Sequence, residues 1–141
     1  RQAAQKRKDR PTTVGRVESY IHHDGRLGVL VEVACETDFV ARLADFQQFC
    51  RDAAMQIASQ HPLCVKNDEL SPRHLKDAKQ RGRSAEEFAR EACLVEQPFI
   101  KDQSQTIGQL LTALIAKTGE NIVIRRFIRF ALGEDSASTK S

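Results

Sequence analysis

The change of hydrophobic period within residues 33–43 constrains the fold more than any other feature of this chain. Residues 27–34 are rich in β-branched side chains and alternate in character, a pattern typical of a strand. Further on, apolar residues recur at steps of three and four, which predicts one face of a long α-helix. That face consists of Phe39, Leu43, Phe46, Cys50, Ala53 and Ile57. The chain therefore passes from a strand into a helix here, with Thr37 or Asp38 as the N-cap of the helix.

Two strands precede this helix and one strand closes the chain. Residues 14–21 and 27–34 flank Asp24-Gly25, whose glycine suits the positive φ of a hairpin turn. The long helix ends at His61-Pro62, and three shorter helical segments lie between it and a last strand at 121–132. This β-β-α-α-α-α-β order predicts an α+β fold, in which helices pack on one face of a small three-stranded, mainly antiparallel sheet.

Local capping signals place the three shorter helices. Ser71-Pro72 is an N-cap followed by proline at the first helical position. Ser84 with Glu87 matches a capping box, and Gly119 is a C-terminal cap. The predicted helices cover about 72–80, 84–95 and 106–118.

The last strand is predicted to carry apolar residues on both of its faces. One face holds Ile122, Ile124, Ile128, Phe130 and Leu132, interrupted by Arg126, and the other holds Val123, Arg125, Phe127 and Arg129. A three-stranded sheet also leaves two strand edges open, and open edges pair with other chains. We therefore predict that two copies associate through the edges or faces of their sheets.

Length and charge limit the classes of protein to which the chain can belong. Its 141 residues, 40% of them hydrophobic, can build the core of one domain. We expect this domain at 13–133, a polar basic arm at 1–12 that ends a missing N-terminal region, and a disordered tail at 134–141. The net charge of +3 is small for a dedicated nucleic-acid binder, and no apolar stretch reaches the length of a membrane span. We expect neither a nucleic acid nor a membrane as a direct partner.

The sequence does not group the residues that catalysis or metal binding needs. Its four cysteines contain no CxxC pair, so we expect buried free thiols in a reducing compartment rather than a metal site or a disulfide framework. They are Cys35, Cys50, Cys64 and Cys93. No motif pairs a nucleophile with a base. We expect no catalytic residue, no metal, no cofactor and no enzymatic activity.

Four segments of the chain, in a fixed order, resemble one protein family. The first contains Gly28-Val29-Leu30-Val31-Glu32-Val33 and Cys35-Glu36-Thr37-Asp38-Phe39-Val40-Ala41-Arg42, and the others are residues 54–58, 94–102 and 119–130. Over roughly residues 12–134 the chain resembles the core of elongation factor Ts, in its short, single-module form. The N-terminal helical domain of that family is expected to be missing. Two features depart from the family pattern: Ala34 stands where the family usually has Asn, and the stretch before Leu94 is unlike the usual glycine- and lysine-rich version.

This resemblance implies a guanine-nucleotide exchange factor. Such a factor binds elongation factor Tu with GDP, displaces Mg²⁺ and promotes GDP release during translation elongation, in the cytoplasm or, alternatively, in a chloroplast or mitochondrion. The resemblance implies that Thr37, Asp38, Phe39 and Val40 enter elongation factor Tu, with Phe39 as an apolar wedge, and that two copies pair through their sheets. The residue pattern alone would instead place Phe39 in the core and leave Val40 exposed.

Two other functions are compatible with the sequence. An RNA-binding or ribosome-associated module would use the basic arm around Lys6 to Arg10 and the arginines of the last strand. A purely structural dimerisation module would self-associate without affecting nucleotide release. Ionic strength separates the RNA hypothesis from the exchange hypothesis, because binding to phosphates weakens steeply with salt.

Overall fold

The computed structural model describes residues 10–134, so most of the predicted basic arm and tail lie outside the described residues. The strands are β1 (Val14–Ile21), β2 (Leu27–Cys35), β3 (Pro98–Phe99), β4 (Asp102–Thr106) and β5 (Ile122–Ala131). The helices are α1 (Asp38–Ala41), α2 (Ala44–Gln60), α3 (Pro72–Gln80), α4 (Ala85–Ala92) and α5 (Ile107–Thr118). Short 3-10 turns lie at Asn67–Glu69 and Leu94–Glu96. Within residues 10–134, no helix is long and apolar enough to cross a bilayer.

Strands β1, β2 and β5 form an antiparallel sheet in that order, with β2 in the centre. The β1–β2 hairpin turns at Gly25, which adopts a φ of 72°. Helix α2 packs against β1 and β2, and the side chains that β2 points toward it are buried. They are Val29, Val31, Val33 and Cys35. The predicted α+β fold with its three-stranded sheet is confirmed, and the small β3–β4 hairpin is an addition that the sequence did not reveal.

The predicted long helix is divided into two helices. Helix α1 ends at Ala41, and Leu43 is extended, with φ −66° and ψ 140°, before α2 begins. In one straight helix Val40 would point about 120° away from Phe46. The break at Leu43 allows both side chains to be buried, at 2% and 0% exposure. The predicted helix start was right, but its continuity was wrong.

A β-bulge in β5 exchanges the two faces of this strand. Glu32 pairs with Arg126, whereas the next residue of β2, Val33, pairs with Ile124. Arg125 is therefore the additional residue of the bulge, and the alternation of side chains shifts by one beyond it. Ile122, Ile124, Phe127, Arg129 and Ala131 share the helix-covered face, while Val123, Arg126, Ile128 and Phe130 point outward. The prediction that Ile122 and Ile124 share a face with Ile128 and Phe130 was therefore wrong.

The end signals of the shorter helices are confirmed. Serine side chains cap α3 and α4 within capping boxes, and Gly119 ends α5 in the left-handed conformation, with φ 75°. Helix α4 is shorter than predicted and ends at Ala92. The reason is that Cys93 is extended and forms a parallel β-bridge with Cys64.

All four cysteine thiols are buried, as predicted. Burial raises the pKa of Cys50 to about 12. Burial and the Cys93 thiol, whose sulfur lies 3.7 Å away, raise the pKa of Cys64 to about 12. A cysteine in the unfolded chain titrates near 8.5. These thiols therefore favour the folded state fully below that pH, and the contribution is lost as the pH rises toward 12.

We expect the native thiols to react slowly with a disulfide reagent such as dithionitrobenzoate at about pH 8, because only the thiolate attacks. In denaturant, all four should react rapidly. The absorbance of the released thiolate measures both rates. Rapid reaction of any thiol in the native chain would contradict the burial of that residue.

Candidate functional site

The connection between β2 and α2 presents an aromatic side chain to solvent. Phe39 lies on α1 and is 71% exposed. Thr37 and Asp38, which precede it, are exposed as well. Val40 points the other way, into the main core between the sheet and α2. The ring of Phe39 is therefore available for contact with another molecule.

Helix α1 is held by its cap and by its buried side. The Thr37 hydroxyl oxygen accepts the backbone N–H of Val40 at 3.3 Å. Val40 and Ala41 both belong to the main core, and the N–H of Leu43 donates to the Val40 carbonyl at 3.0 Å. A helix of four residues is not stable by itself, so these contacts fix the position of Phe39.

Two glutamates connect this loop to the turn between α5 and β5. Glu120 Oε1 accepts the backbone N–H groups of Glu36, at 3.2 Å, and of Thr37, at 3.1 Å. Glu120 Oε2 accepts the Thr37 hydroxyl at 2.6 Å. In return, a Glu36 carboxylate oxygen accepts the backbone N–H of Asn121. Arg10 supplies a positive charge, because its Nη1 lies 3.8 Å from the Glu36 carboxylate.

Asp38 adds a negative charge beside the exposed ring. It lies in the first turn of α1, where a carboxylate is favoured by the helix dipole. No group among residues 10–134 donates a hydrogen bond to its side chain. Asp38 is exposed and therefore presents its carboxylate on the same surface as Phe39.

A second exposed surface lies on the side of the sheet that the helices leave uncovered. We call it the outer sheet face, and it is formed by large apolar side chains that are between 50% and 77% exposed. They are Val17, Ile21, Leu30, Ile128, Phe130 and Leu132. At its centre, Leu30 pairs with Ile128 across β2 and β5. An ion pair borders them, between Arg126 Nε and Glu32 Oε1 at 2.7 Å.

Comparison with known proteins identifies the family. The family model described as Elongation factor TS matches residues 4–86 and 72–134. The chain belongs to the elongation factor Ts family. The elongation factor Ts of Rubrobacter xylanophilus is 43% identical to it, over 92% of this chain and 76% of that protein. Those of Heliobacterium modesticaldum and Carboxydothermus hydrogenoformans are 44% and 46% identical, each over 96% of this chain and over 72% and 71% of their own lengths.

Membership in the elongation factor Ts family confirms the resemblance and gives the chain a role in translation elongation. Of the predicted partner-binding residues, the structure brings Thr37, Asp38 and Phe39 together on one exposed surface. The expected exposure of Val40 was wrong, and so was the pattern-based placement of Phe39 in the core.

Sequence reasoning missed Glu36 and Glu120 as parts of the site. Glu120 hydrogen-bonds to Thr37 from 83 positions away, and no spacing rule connects two residues so distant. The only available signal was that both glutamates lie in segments that resemble the elongation factor Ts family.

The arginines that the RNA hypothesis requires are engaged within the chain. Arg125 donates from Nη2 to the Thr12 carbonyl at 2.9 Å. Arg129 donates to the Ala58 carbonyl, at 3.3 Å from Nη2, and Arg126 pairs with Glu32. A phosphate would have to compete with these contacts, so the arrangement does not favour this strand as an RNA surface.

Proposed function

We propose that the chain is a guanine-nucleotide exchange factor for elongation factor Tu and acts through Phe39. One observation carries this proposal: the phenyl ring is 71% exposed on a short helix that other contacts hold in place. The buried Val40 attaches this helix to the core, and Glu120 hydrogen-bonds to its N-cap, Thr37. The proposal gives Thr37 and Asp38 direct contacts at the partner surface. The family resemblance also places Val40 in the partner-binding segment. In this proposal Val40 does not contact the partner but attaches α1 to the core.

In this proposal Phe39 enters an apolar slot of the partner. Full burial of a phenylalanine side chain stabilises a complex by roughly 1.5–3 kcal/mol, provided that the side chain is already in position. Proteins hold the phosphates of a nucleotide with backbone N–H groups at a helix start and with Mg²⁺. Mg²⁺ tolerates little departure from octahedral geometry. A wedge that moves the partner's helix by about 1 Å is therefore enough to weaken metal and GDP binding.

Exchange by this route makes and breaks no covalent bond. The factor binds the nucleotide-free partner more tightly than the GDP-bound partner, and linkage then requires that it lowers the affinity for GDP by the same factor. Rebinding of a nucleotide displaces the factor for the same reason. Such a mechanism needs no general acid, no general base and no metal ligand from the factor. We propose that this activity takes place in the cytoplasm, a location that the bacterial origin of the compared relatives supports.

The direct test is the release of fluorescent GDP from elongation factor Tu, followed by stopped flow while the chain is titrated. We expect the release rate to rise with the concentration of the chain and then to saturate. A folded chain that binds elongation factor Tu without changing the rate would contradict exchange. A chain that self-associates but does not bind elongation factor Tu would support the dimerisation module instead.

We also propose that two copies of the chain pair through the outer sheet face. The face is apolar at its centre, and a two-fold axis through it would bring each copy's Leu30 and Ile128 against the same surface of the other. The face carries charges of both signs, Arg126 and Glu32, which a two-fold related copy can complement. Burial of such a patch is the usual way in which a protein removes it from water.

Phe130→Asp is expected to convert the dimer into a monomer, because it places a charge within this apolar contact, next to Ile128 on the same face of β5. The residue is 74% exposed in the single chain, so its fold should be retained. Sedimentation velocity over a range of concentrations measures the change. Leu63→Asp, which alters a 50% exposed side chain away from the sheet, serves as the control. A monomeric parent, or a dimeric Phe130→Asp variant, would rule out this interface.

A further inference from the structure

We propose that Glu120 is a positioning residue for nucleotide exchange: it holds the loop before α1 so that Phe39 meets the partner in the correct place. This inference rests on the proposed exchange function. It assigns to the turn between α5 and β5 a part in that function, although this turn contributes no exposed side chain to the surface formed by Thr37, Asp38 and Phe39.

The first step is the geometry of the Glu120 carboxylate. Its two oxygens receive three hydrogen bonds from two consecutive residues, the N–H groups of Glu36 and Thr37 and the Thr37 hydroxyl. The hydroxyl contact, at 2.6 Å, has the length of a charge-assisted hydrogen bond. Both oxygens therefore accept hydrogen bonds from the loop before α1, which gives Glu120 a role in holding that loop.

The second step is the path from this carboxylate to α1. Thr37 donates its hydroxyl proton to Glu120 and accepts the Val40 N–H with the same oxygen. The carboxylate thereby orients the oxygen that caps the helix. Phe39 lies between the cap and the anchored Val40, and its own ring is largely surrounded by solvent. The direction of that ring depends on the cap at one side and on the core at the other.

The third step is the reciprocal contact of Glu36. Its carboxylate accepts the N–H of Asn121, the residue directly after Glu120. The two loops thus exchange glutamate contacts in both directions and form a two-point clamp. Arg10 lies close enough to offset the repulsion between the two carboxylates, because its Nη1 is 3.8 Å from Glu36 and 3.4 Å from the Gly119 carbonyl.

Loss of the Glu120 contacts should leave the chain folded but should make the position of Phe39 less well defined. Val40 and Ala41 would still be buried, but the loop before them would lose its side contact. The partner would then have to order the loop on binding. Only the fraction of chains whose loop already has the binding conformation would stimulate GDP release. Exchange should therefore fall while the core remains intact.

The experiment is a double-mutant cycle on GDP release from elongation factor Tu. Glu120→Ala is expected to lower the exchange rate about tenfold, the size of effect that coupling within one hydrogen-bonded network produces. Glu120→Gln keeps an oxygen that can accept the backbone N–H groups and should recover part of the rate. In the Phe39→Ala background, Glu120→Ala should cause a much smaller loss, because most of its effect passes through the ring.

Two results would overturn the positioning role. Equal losses from Glu120→Ala in the parent and in the Phe39→Ala background would mean that Glu120 acts independently of the ring. A Glu120→Ala rate equal to that of the parent would mean that the clamp is not needed. Glu86→Ala, at an exposed carboxylate of α4, is the matched control and should leave the rate unchanged.

Hydrogen exchange of the free chain separates this inference from the proposed function. Glu120→Ala should speed amide exchange at Thr37 and Val40, with the amides of α2 unaffected. This result is expected even if the parent chain does not stimulate GDP release from elongation factor Tu. In that case the exchange function is wrong, and only the structural role of Glu120 is supported. Unchanged protection at both amides would contradict the clamp itself.

Discussion

Phe39→Ala is expected to lower the stimulated release of GDP from elongation factor Tu by at least about tenfold, which is the loss that truncation of a central interface residue commonly causes. The ring is 71% exposed in the free chain, so its removal should change the free energy of unfolding by no more than about 0.5 kcal/mol. A large effect on exchange with a small effect on stability is the combination that a wedge predicts. Stopped-flow fluorescence and urea denaturation measure the two quantities.

Leu63→Ala is a suitable control for this variant. It shortens another apolar side chain, 50% exposed, on the loop after α2 and away from α1. The control should stimulate GDP release from elongation factor Tu at the same rate as the parent. If Phe39→Ala unfolded the chain, the residue would belong to the core and the wedge would be wrong. If it exchanged at the parental rate, the contact would lie elsewhere on the surface.

The features that could be predicted from the sequence are those with a local cause. The hairpin turn depends on Gly25 and its positive φ, and the starts of α3 and α4 depend on serine caps. The end of α5 depends on Gly119. Each of these signals involves residues within a few positions of one another, so no knowledge of the tertiary fold is needed to interpret them.

The break between α1 and α2 has no such signal. No glycine or proline lies between Asp38 and Gln60, and Leu43 continues the helical period of the residues around it. The break comes from tertiary packing, since Val40 and Phe46 both reach the core only when the two helices differ in direction. The bulge at Arg125 is similar, because one additional residue exchanges the faces of a strand whose sequence is apolar on both.

The candidate site was accessible to sequence reasoning only in part. The family resemblance pointed to residues 37–40, but periodicity assigned Phe39 and Val40 to the wrong environments. The pattern assumed one helix axis, and both errors follow from that assumption. The contact between Glu120 and Thr37 joins positions 83 residues apart, so it becomes visible only when the strands are placed side by side.

A buried amide network shows the same dependence on distant residues, and it supports a prediction about stability. Gln56 of α2 is fully buried, and its Nε2 donates to the Gln97 side chain at 3.1 Å and to the Pro98 carbonyl at 3.0 Å. Its Oε1 accepts the N–H of Ile100 at 3.0 Å. Two of the segments that resemble elongation factor Ts, 54–58 and 94–102, therefore meet at this side chain.

Gln56→Leu is expected to lower the free energy of unfolding by about 3 kcal/mol, because it leaves the buried Gln97 side chain and two part-buried backbone groups without their hydrogen bonds, and a buried group left unpaired costs roughly 1–3 kcal/mol. The volume of the side chain changes little, so packing is not the main cause. For a domain of this size the midpoint of thermal unfolding should fall by about 10 °C. Differential scanning calorimetry and urea denaturation measure the change.

Gln60→Leu provides the comparison within the same helix. Gln60 is exposed, and its side chain donates to the adjacent Ser59 hydroxyl at 2.9 Å, so this variant should match the parent within about 0.5 kcal/mol. The difference between the two leucine variants then isolates the buried network from the change of residue type. Equal stability of both variants would show that the segment after α4 satisfies its polar groups without Gln56, and that packing of Phe99 and Leu94 alone holds it against α2.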